Sequence, residues 1–473
     1  LYRPIPKSIF AISWNLFGDN PLPLHLLNIV LYGVTGIVLF NFCYLVFPNL
    51  IFSFVASMLF VLHPVHTEVV ANIKSVDEIL SFLLCISACI FLVRYVQTKK
   101  IATLVLTSIC FFTALLSKES SITFLAILPL LIFIKSVKKE TSFSWSAVIK
   151  PILTLVAFAL LFLIIRHSVL SKIASGDPSI ADNLLMAAKS YDQKFATSIL
   201  ILGMYLKLLF IPHPLVFDYS FNQIPLVGMG NIWFILSMAI HIGLLLWAVL
   251  LWKKNKLLSF TILFYFISMS IYANIFYMIG SSFGERFLYT ASFGFCMAVA
   301  YALSLLSKNQ NAETVSSFFK TNLTVFLILF PVAGAFAYKT ITRNTVWKSN
   351  YTLYANDVNL SPNSTRTHYY YGNLLGKDDF QNGKTDQEKD SIQKLALSEL
   401  EKSVAIFPFG DAYNQMGIIY DKRKDFKKSF ESYQLAMKAA PNDPMIQNNL
   451  GSLYFNMGQI PEAKACYEKA VQL

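Results

Sequence analysis

Long runs of apolar residues alternate with short polar segments over residues 1–344. A helix needs about 20 predominantly apolar residues to cross a membrane. The runs that reach or approach this length lie at 24–47, 50–62, 79–96, 101–116, 121–135, 147–166, 196–212, 230–252, 257–279, 287–306 and 323–340. The pattern predicts an all-α fold, with a polytopic membrane helical bundle of about 10 to 11 spans.

Residues 345–473 follow a different pattern, in which small and aromatic residues recur every 34 positions. Gly417 and Tyr433 are matched by Gly451 and Tyr467. This period is typical of the tetratricopeptide repeat, a helical hairpin that stacks on its neighbours to form a solenoid. The second domain is therefore predicted to be a repeat solenoid.

An earlier unit of the same kind is centred on Gly372 and carries extra residues between its two helices. A helix at about 347–359 is expected to cap the array. We therefore predict two domains. Residues 1–344 form the membrane domain, and residues 345–473 form a repeat domain with a capping helix and about three repeats.

Composition and charge agree with this division. Hydrophobic residues make up 55% of the chain and charged residues 14%, and the mean hydropathy is +0.53. The net charge of +12 belongs to residues 1–344, because residues 345–473 contain equal numbers of basic and acidic residues. A nucleic-acid-binding protein would carry its basic excess on a soluble face, so this class is excluded.

Basic residues mark alternate loops of the predicted bundle, which orients it by the positive-inside rule. The cytoplasmic loops are those with Arg94, Lys99, Lys100, Lys135, Lys138, Lys139, Lys253, Lys254, Lys256, Lys308 and Lys320. Loops 63–78, 117–120 and 280–285 then face the other side, together with the repeats. Segment 196–212 does not fit the alternation of loops between the two sides of the membrane. It is predicted to be re-entrant or to lie flat, unless a further span is hidden in 167–195.

The polar segment 63–78 lies between two apolar runs. One interpretation is structural: Pro64 opens a short interfacial helix with Glu68 facing water, and Ser75 and Glu78 form a capping box before the next span. That interpretation leaves two histidines and Asp77 unexplained. Ionisable groups at this depth are costly, and they favour a functional site.

Several short motifs occur in an order that resembles one family. They are Tyr2-Arg3-Pro4, His63-Pro64-Val65-His66-Thr67-Glu68 with Asp77, Leu116-Ser117-Lys118-Glu119, Pro214 to Ser220, Glu285-Arg286-Phe287-Leu288-Tyr289 and Arg343 to Trp347. With the repeats, they resemble the transmembrane and tetratricopeptide-repeat O-mannosyltransferases and their bacterial relatives, which are membrane glycosyltransferases of the GT-C type. The resemblance covers nearly the whole chain.

The resemblance implies transfer of a sugar, mannose in the family, from a polyprenyl-phosphate donor to an acceptor on the non-cytoplasmic face. The membrane would be that of the endoplasmic reticulum or a bacterial inner membrane. The family also has an acidic pair before the Tyr-Arg-Pro motif. The chain is predicted to be a fragment cut at both ends, so this pair would precede Leu1. A second departure is Lys74-Ser75-Val76, where the family often has Gly-Arg-Ala.

The predicted site residues take roles that suit this chemistry. A carboxylate base must accept the proton of the acceptor hydroxyl, and cations must stabilise the departing phosphate. Asp77 and Glu68 are the predicted catalytic carboxylates, and the predicted phosphate-binding residues are Arg286, Lys118, His63 and His66. The supporting residues are Glu119, Glu285 as the partner of Arg286, and Tyr289 and Asp218 from the motifs.

Three alternatives remain open at this point. His63 and His66 could hold a divalent metal with Glu68, although histidines three residues apart lack a third assured ligand. The protein could be a non-catalytic membrane anchor that displays the repeats to a secreted or periplasmic partner. It could also transport lipid-linked sugars, which would require more ionisable groups deep in the spans than Lys207 and His241.

In the enzyme interpretation the partners are the lipid-linked sugar, a protein acceptor held by the repeats and membrane lipid.

Overall fold

The computed structural model describes residues 2–136, 145–171, 179–307 and 314–473. Three lysines of the predicted cytoplasmic loops lie outside these ranges: Lys138, Lys139 and Lys308. Regular structure in these ranges is helical. The membrane domain contains α1 (Pro4–Phe17), α2 (Leu22–Val46), α3 (Leu50–Leu62), α4 (Thr67–Ala71), α5 (Val76–Thr98), α6 (Ile101–Ser117), α7 (Phe124–Ser136), α8 (Trp145–Leu170), α9 (Tyr191–Phe210), α10 (Ile232–Leu251), α11 (Lys256–Met269), α12 (Leu288–Ser304), α13 (Val315–Thr321) and α14 (Leu323–Val346).

Among the described helices, seven are long and apolar enough to cross a membrane, and the bent pair Leu50–Leu62 and Pro64–Ala71 makes up to eight. Shorter apolar helices occupy Ile101–Ser117, Glu119–Ile134 and Lys256–Met269. The predicted all-α multi-span bundle is confirmed. The run 257–279 is a helix only as far as Met269, and the chain then forms a loop up to Gly284.

Residues 63–69 are buried inside the bundle, so the interfacial-helix interpretation was wrong. Pro64 does open a short 3₁₀ turn before α4. However, Glu68, predicted to face water, is buried, and so is the adjacent Val69. The capping box is also absent, because Ser75 makes no side-chain hydrogen bond at the start of α5.

Helix α9 packs beside a single loop of the bundle. In the middle of the helix, the Ser198 hydroxyl donates to the Asn274 carbonyl (3.5 Å). About two turns further on, the Gly284 backbone N–H donates to the Tyr205 hydroxyl (3.1 Å). Asn274 and Gly284 belong to one loop, between α11 and α12. Helix α9 is also one of the described helices that are long and apolar enough to cross a membrane, so the re-entrant or flat placement of segment 196–212 stays a prediction.

Residues on both sides of α9 also contact the repeat domain. The Arg366 guanidinium pairs with Asp182, which precedes α9, at 2.7 Å, and with Asp218, which follows it, at 3.5 Å. We call the face of the bundle that carries these contacts the repeat face. The contacts place the chain on this face both before and after α9.

This arrangement predicts the outcome of cysteine labelling with a membrane-impermeant reagent. Single cysteines at Lys189 and Met229, which flank α9, and at Lys424 in the repeats are expected to react from the same side. A cysteine at Lys254, in the α10–α11 turn, should react only from the opposite side. All four positions are exposed. Labelling of positions 189 and 229 from opposite sides would mean that α9 crosses.

The repeat domain consists of helical hairpins behind a capping helix. Its helices are α15 (Asn350–Leu360), α16 (Thr365–Gly376), α17 (Asp378–Gln381), α18 (Asp386–Ile406), α19 (Gly410–Lys422), α20 (Phe426–Ala439), α21 (Pro444–Asn456) and α22 (Ile460–Gln472). The short α17 occupies the predicted insertion. A Cβ at Gly417 would lie 2.6 Å from the Tyr433 ring. This close approach explains the repeating pair of glycine and tyrosine.

Candidate functional site

Charged side chains from four parts of the membrane domain converge on the repeat face. Arg3 lies just before α1, Asp77 lies in the first turn of α5, and Glu119 begins a 3₁₀ turn after α6. Arg3 Nε donates to Glu119 Oε2 (2.8 Å) and Nη2 to Glu119 Oε1 (2.6 Å), while Nη1 donates to Asp77 Oδ2. Arg3 therefore bridges two carboxylates that are far apart in sequence.

Burial and these two carboxylates have opposite effects on the pKa of Arg3. Burial favours the neutral form, but the hydrogen bond and charge of Glu119 and the charge of Asp77 raise the pKa of Arg3 above its ordinary value. Asp77 also accepts a hydrogen bond from the Glu78 backbone N–H at 2.7 Å. The Glu119 side chain is 33% exposed and Asp77 9%, so Glu119 is the more accessible carboxylate.

Lys118 and Glu78 form a buried ion pair beside the Arg3 cluster. Their side chains are almost fully enclosed, and burial lowers the pKa of Lys118 to about 8. A lysine in this position would have to leave Glu78 before it could bind a phosphate. The arrangement therefore favours a structural role for Lys118 over the predicted contact with the donor.

Arg286 is paired with Glu68, not with Glu285 as predicted. Arg286 Nη1 donates to Glu68 Oε1 (2.7 Å), and the Arg286 backbone N–H donates to Glu68 Oε2 (3.1 Å). The Glu68 side chain is 3% exposed and that of Arg286 is 36% exposed. Glu68 is thus placed to orient Arg286 and is poorly accessible to an acceptor, which does not fit its predicted catalytic role.

Glu285 points away from Arg286, into a loop that precedes α10. Its Oε1 accepts hydrogen bonds from the Tyr219 hydroxyl (2.8 Å) and from the Val216 backbone N–H. Asp218, two residues from Val216, lies at the domain junction with Arg366 and outside the charged cluster. The motif that contains Asp218 is therefore joined to the site through Glu285.

The two histidines and Tyr289 are buried beneath the charged cluster. His63 Nε2 bonds the Leu209 carbonyl (3.0 Å). His66 bonds Tyr32 through Nδ1 and Ser292 through Nε2, both at 2.8 Å. The Tyr289 ring lies 5.0 Å from that of His66. With these nitrogens engaged, the predicted phosphate contacts of the histidines do not fit this arrangement.

The described residues contain no group of three or more His, Cys, Asp or Glu side chains arranged to hold a metal ion. The ionic cluster instead pairs cations with carboxylates, and it has one more carboxylate than cations. Its members are Arg3, Lys118, Arg286, Asp77, Glu78, Glu119 and Glu68. Arg286 is the most exposed cation among them, and Glu119 is the second most exposed member.

A small cavity next to the cluster has a mixed wall of hydroxyl groups and apolar side chains. The hydroxyl groups come from Ser81, one turn after Asp77, and Ser120, which follows Glu119, together with Ser121, Thr123, Ser268, Tyr272 and Thr290. Phe82, Cys85 and Phe124 complete the wall. The Ser268 hydroxyl is buried and has no hydrogen-bond partner among the residues that the structure describes. These hydroxyl groups can donate hydrogen bonds to water or a polar ligand and accept hydrogen bonds from them.

Sequence reasoning missed Arg3 and Glu78 as members of the cluster. Arg3 was noted only as part of the Tyr-Arg-Pro motif. Its place in one of the motifs that carry the resemblance was the available signal. Glu78 was explained by the capping box. Lys118, the partner of Glu78, is 40 residues away in sequence, and a local sequence pattern does not predict a pair over that separation.

Comparisons with known proteins identify the repeats and a set of similar membrane proteins. The sequence model described as tetratricopeptide repeat matches residues 410–443 and 444–473. Protein O-mannosyl-transferase F38B6.6 of Caenorhabditis elegans is 27% identical over 405 residues, which cover 84% of this chain and 54% of that protein.

Two mammalian proteins show the same relationship. Protein O-mannosyl-transferase TMTC3 of Homo sapiens is 25% identical over 516 residues, covering 100% of this chain and 53% of that protein. Protein O-mannosyl-transferase TMTC4 of Mus musculus is 24% identical over 429 residues, with 79% and 55% coverage. The chain spans about half the length of the curated relatives it matches. As the motifs predicted, the chain is similar to the protein O-mannosyl-transferases of the TMTC family and carries tetratricopeptide repeats.

Proposed function

We propose that the protein is a membrane glycosyltransferase that moves a sugar from a polyprenyl-phosphate donor to a hydroxyl group of a protein acceptor. Mannose is the proposed sugar, because the similar proteins are named O-mannosyl-transferases. The observation that carries the proposal is the partly exposed side chain of Arg286, held by Glu68 next to the two carboxylates on Arg3.

The proposed reaction is a direct displacement with inversion at the anomeric carbon. The acceptor oxygen forms a bond to that carbon while the bond to the phosphate oxygen breaks, and the polyprenyl phosphate leaves with the electron pair. A carboxylate takes the proton of the acceptor hydroxyl. Asp77 or Glu119 would be this base within the described residues, and Arg286 would stabilise the charge on the leaving phosphate.

The repeat face is proposed to be the non-cytoplasmic side. The basic loops with Arg94, Lys99 and Lys254 lie at the other ends of the helices, and the positive-inside rule assigns such loops to the cytoplasm. A donor whose lipid lies in the bilayer can present its phosphate at the rim of the bundle, where Arg286 is located. The membrane is that of the endoplasmic reticulum or a bacterial inner membrane.

The acceptor is proposed to contact a row of half-buried aromatic rings on the repeats. Phe217 lies 5.0 Å from Tyr354, and Tyr354 lies 5.7 Å from Tyr370, measured between ring centroids. Tyr369 continues the row to Phe409 at 5.0 Å. Aromatic side chains supply much of the binding energy at protein interfaces, and this row begins in the loop joined to Glu285.

Replacing Tyr370 with alanine is expected to raise the KM for a protein acceptor about tenfold, because truncation of an interface tyrosine often costs more than about 1 kcal/mol. The kcat and the KM for the lipid donor should stay within about twofold of the wild-type values, since Tyr370 does not contact the ionic cluster. The matched control is Tyr351→Ala in the capping helix, whose ring stacks on Phe380 instead. Equal acceptor KM values for all three proteins would argue against the aromatic row.

The decisive experiment for the function is transfer of radiolabelled mannose from polyprenyl-phosphate mannose in membranes that contain the full-length protein. Incorporation into protein above that of membranes without it is the expected result. No incorporation from any polyprenyl-phosphate sugar would overturn the enzyme proposal and favour the alternative, a non-catalytic scaffold. In that case cells that carry Arg286→Ala would behave like the wild type, while deletion of the repeats would have the same effect as loss of the whole protein.

A further inference from the structure

The loop of residues 214–222 connects the repeat domain to the ionic cluster. At its far end it pairs with the repeats through the backbone. The Asn222 N–H donates to the Asn363 carbonyl, and the Thr365 N–H donates to the Phe221 carbonyl, both at 2.8 Å. Two backbone hydrogen bonds between separate domains hold this part of the loop in one register. We call residues 214–222 the bridge loop.

A buried carboxylate of the capping helix holds the middle of the bridge loop. Asp357 Oδ2 accepts a hydrogen bond from the Phe217 N–H (2.7 Å). Arg343 of α14 donates two hydrogen bonds, of 2.6 and 2.8 Å, to the same carboxylate. Asp357 is fully buried, so these bonds are made away from water and are costly to break.

Two groups of the bridge loop, one on each side of Phe217, hold Glu285. The Tyr219 hydroxyl donates to Glu285 Oε1 at 2.8 Å, and the Val216 N–H donates to the same oxygen. Glu285 is 1% exposed. Since bridge-loop groups supply these two donors, the loop sets where the Glu285 carboxylate lies.

Glu285 and Arg286 are consecutive residues of one 3₁₀ turn, Glu285–Phe287. Arg286 is fixed on one side by two hydrogen bonds to Glu68, and its turn is fixed on the other side through Glu285. A small displacement of the bridge loop would therefore rotate the turn and move the guanidinium relative to Glu68.

We propose that the bridge loop is a positioning element through which the repeat domain sets the phosphate-binding geometry of Arg286. The inference rests on the proposed function, because it assigns a lipid phosphate to Arg286. Tyr219 and Glu285 are positioning residues in this scheme, and neither touches the donor. The repeats thus act on the donor side of the reaction as well as on the acceptor side.

The test is the affinity of the purified full chain, in detergent or nanodiscs, for undecaprenyl monophosphate. Tyr219→Phe removes the hydroxyl that contacts Glu285, the Pro214 carbonyl and the Val216 N–H, and it keeps the ring that packs on Phe283. It is expected to weaken binding about three- to tenfold, as for the loss of buried hydrogen bonds. In an Arg286→Ala background the same substitution should cause no further loss, because the residue it positions is gone.

Asp182→Asn is the matched control. It disturbs another contact between the domains, the pair with Arg366. The contact of Arg366 with Asp218 of the bridge loop and the two hydrogen bonds to Glu285 are left in place. This variant should bind the lipid like the wild type. Unchanged affinity in Tyr219→Phe, or an equal loss in both backgrounds, would overturn the inference while the proposed function stands. If the wild type does not bind undecaprenyl monophosphate, both the proposed function and the inference fail.

Discussion

Replacing Arg286 with alanine is expected to lower the kcat of sugar transfer by about 100- to 1,000-fold, the range typical for removal of one donor to a developing oxyanion. The physical reason is the exposure of its guanidinium, which Glu68 orients through Nη1 and the backbone N–H. The other two cations of the cluster are engaged more fully, by Asp77 and Glu119 and by Glu78. The rate is measured with radiolabelled polyprenyl-phosphate mannose and the full-length protein in membranes.

Two further variants make this result specific. Arg286→Lys keeps the charge but loses the planar fork that matches phosphate and carboxylate, so an intermediate loss of rate is expected. Arg94→Ala removes an exposed cation on the opposite face and should leave the rate unchanged. A wild-type rate in Arg286→Ala would show that the leaving phosphate is stabilised by other groups.

The sequence was sufficient to predict most of the architecture, because long apolar runs and a 34-residue period are strong signals. The end of α11 was not predictable from hydropathy. Residues 270–284 are apolar, but Asn274 adopts a positive φ of 54°. Its side chain accepts from the Ile279 N–H (3.0 Å) and donates to the Tyr272 and Ser281 carbonyls (3.3 Å). A single amide thus replaces helical hydrogen bonds and holds the segment as a loop.

The candidate site was predictable in its residue types but not in its pairings. The sequence places Glu68, Asp77, Lys118, Glu119 and Arg286 at the same face, since their loops alternate with basic loops. Which carboxylate meets which cation depends on tertiary geometry, and Glu68 and Arg286 are 218 residues apart. The prediction that adjacent Glu285 and Arg286 pair failed because neighbouring residues of a helical turn point in different directions.

The second large effect concerns Lys118, which the motif suggested as a ligand of the donor phosphate. Lys118→Met keeps the length of the side chain and leaves Glu78 charged and unpaired in a buried site. Breaking one partner of a buried ion pair costs about 3–5 kcal/mol. We therefore expect a clear loss in the free energy of unfolding of the full chain, measured by denaturant titration in micelles, together with a loss of activity.

The double variant Lys118→Met, Glu78→Leu separates the two roles of this lysine. It removes both charges, and apolar replacement of a whole buried pair is often neutral or stabilising. If Lys118 is structural, the double variant recovers stability and most of the transfer activity, because the carboxylates on Arg3 and the exposed Arg286 are still present. Recovered stability without recovered activity would instead mean that the Lys118 ammonium group leaves Glu78 and binds the donor during the reaction.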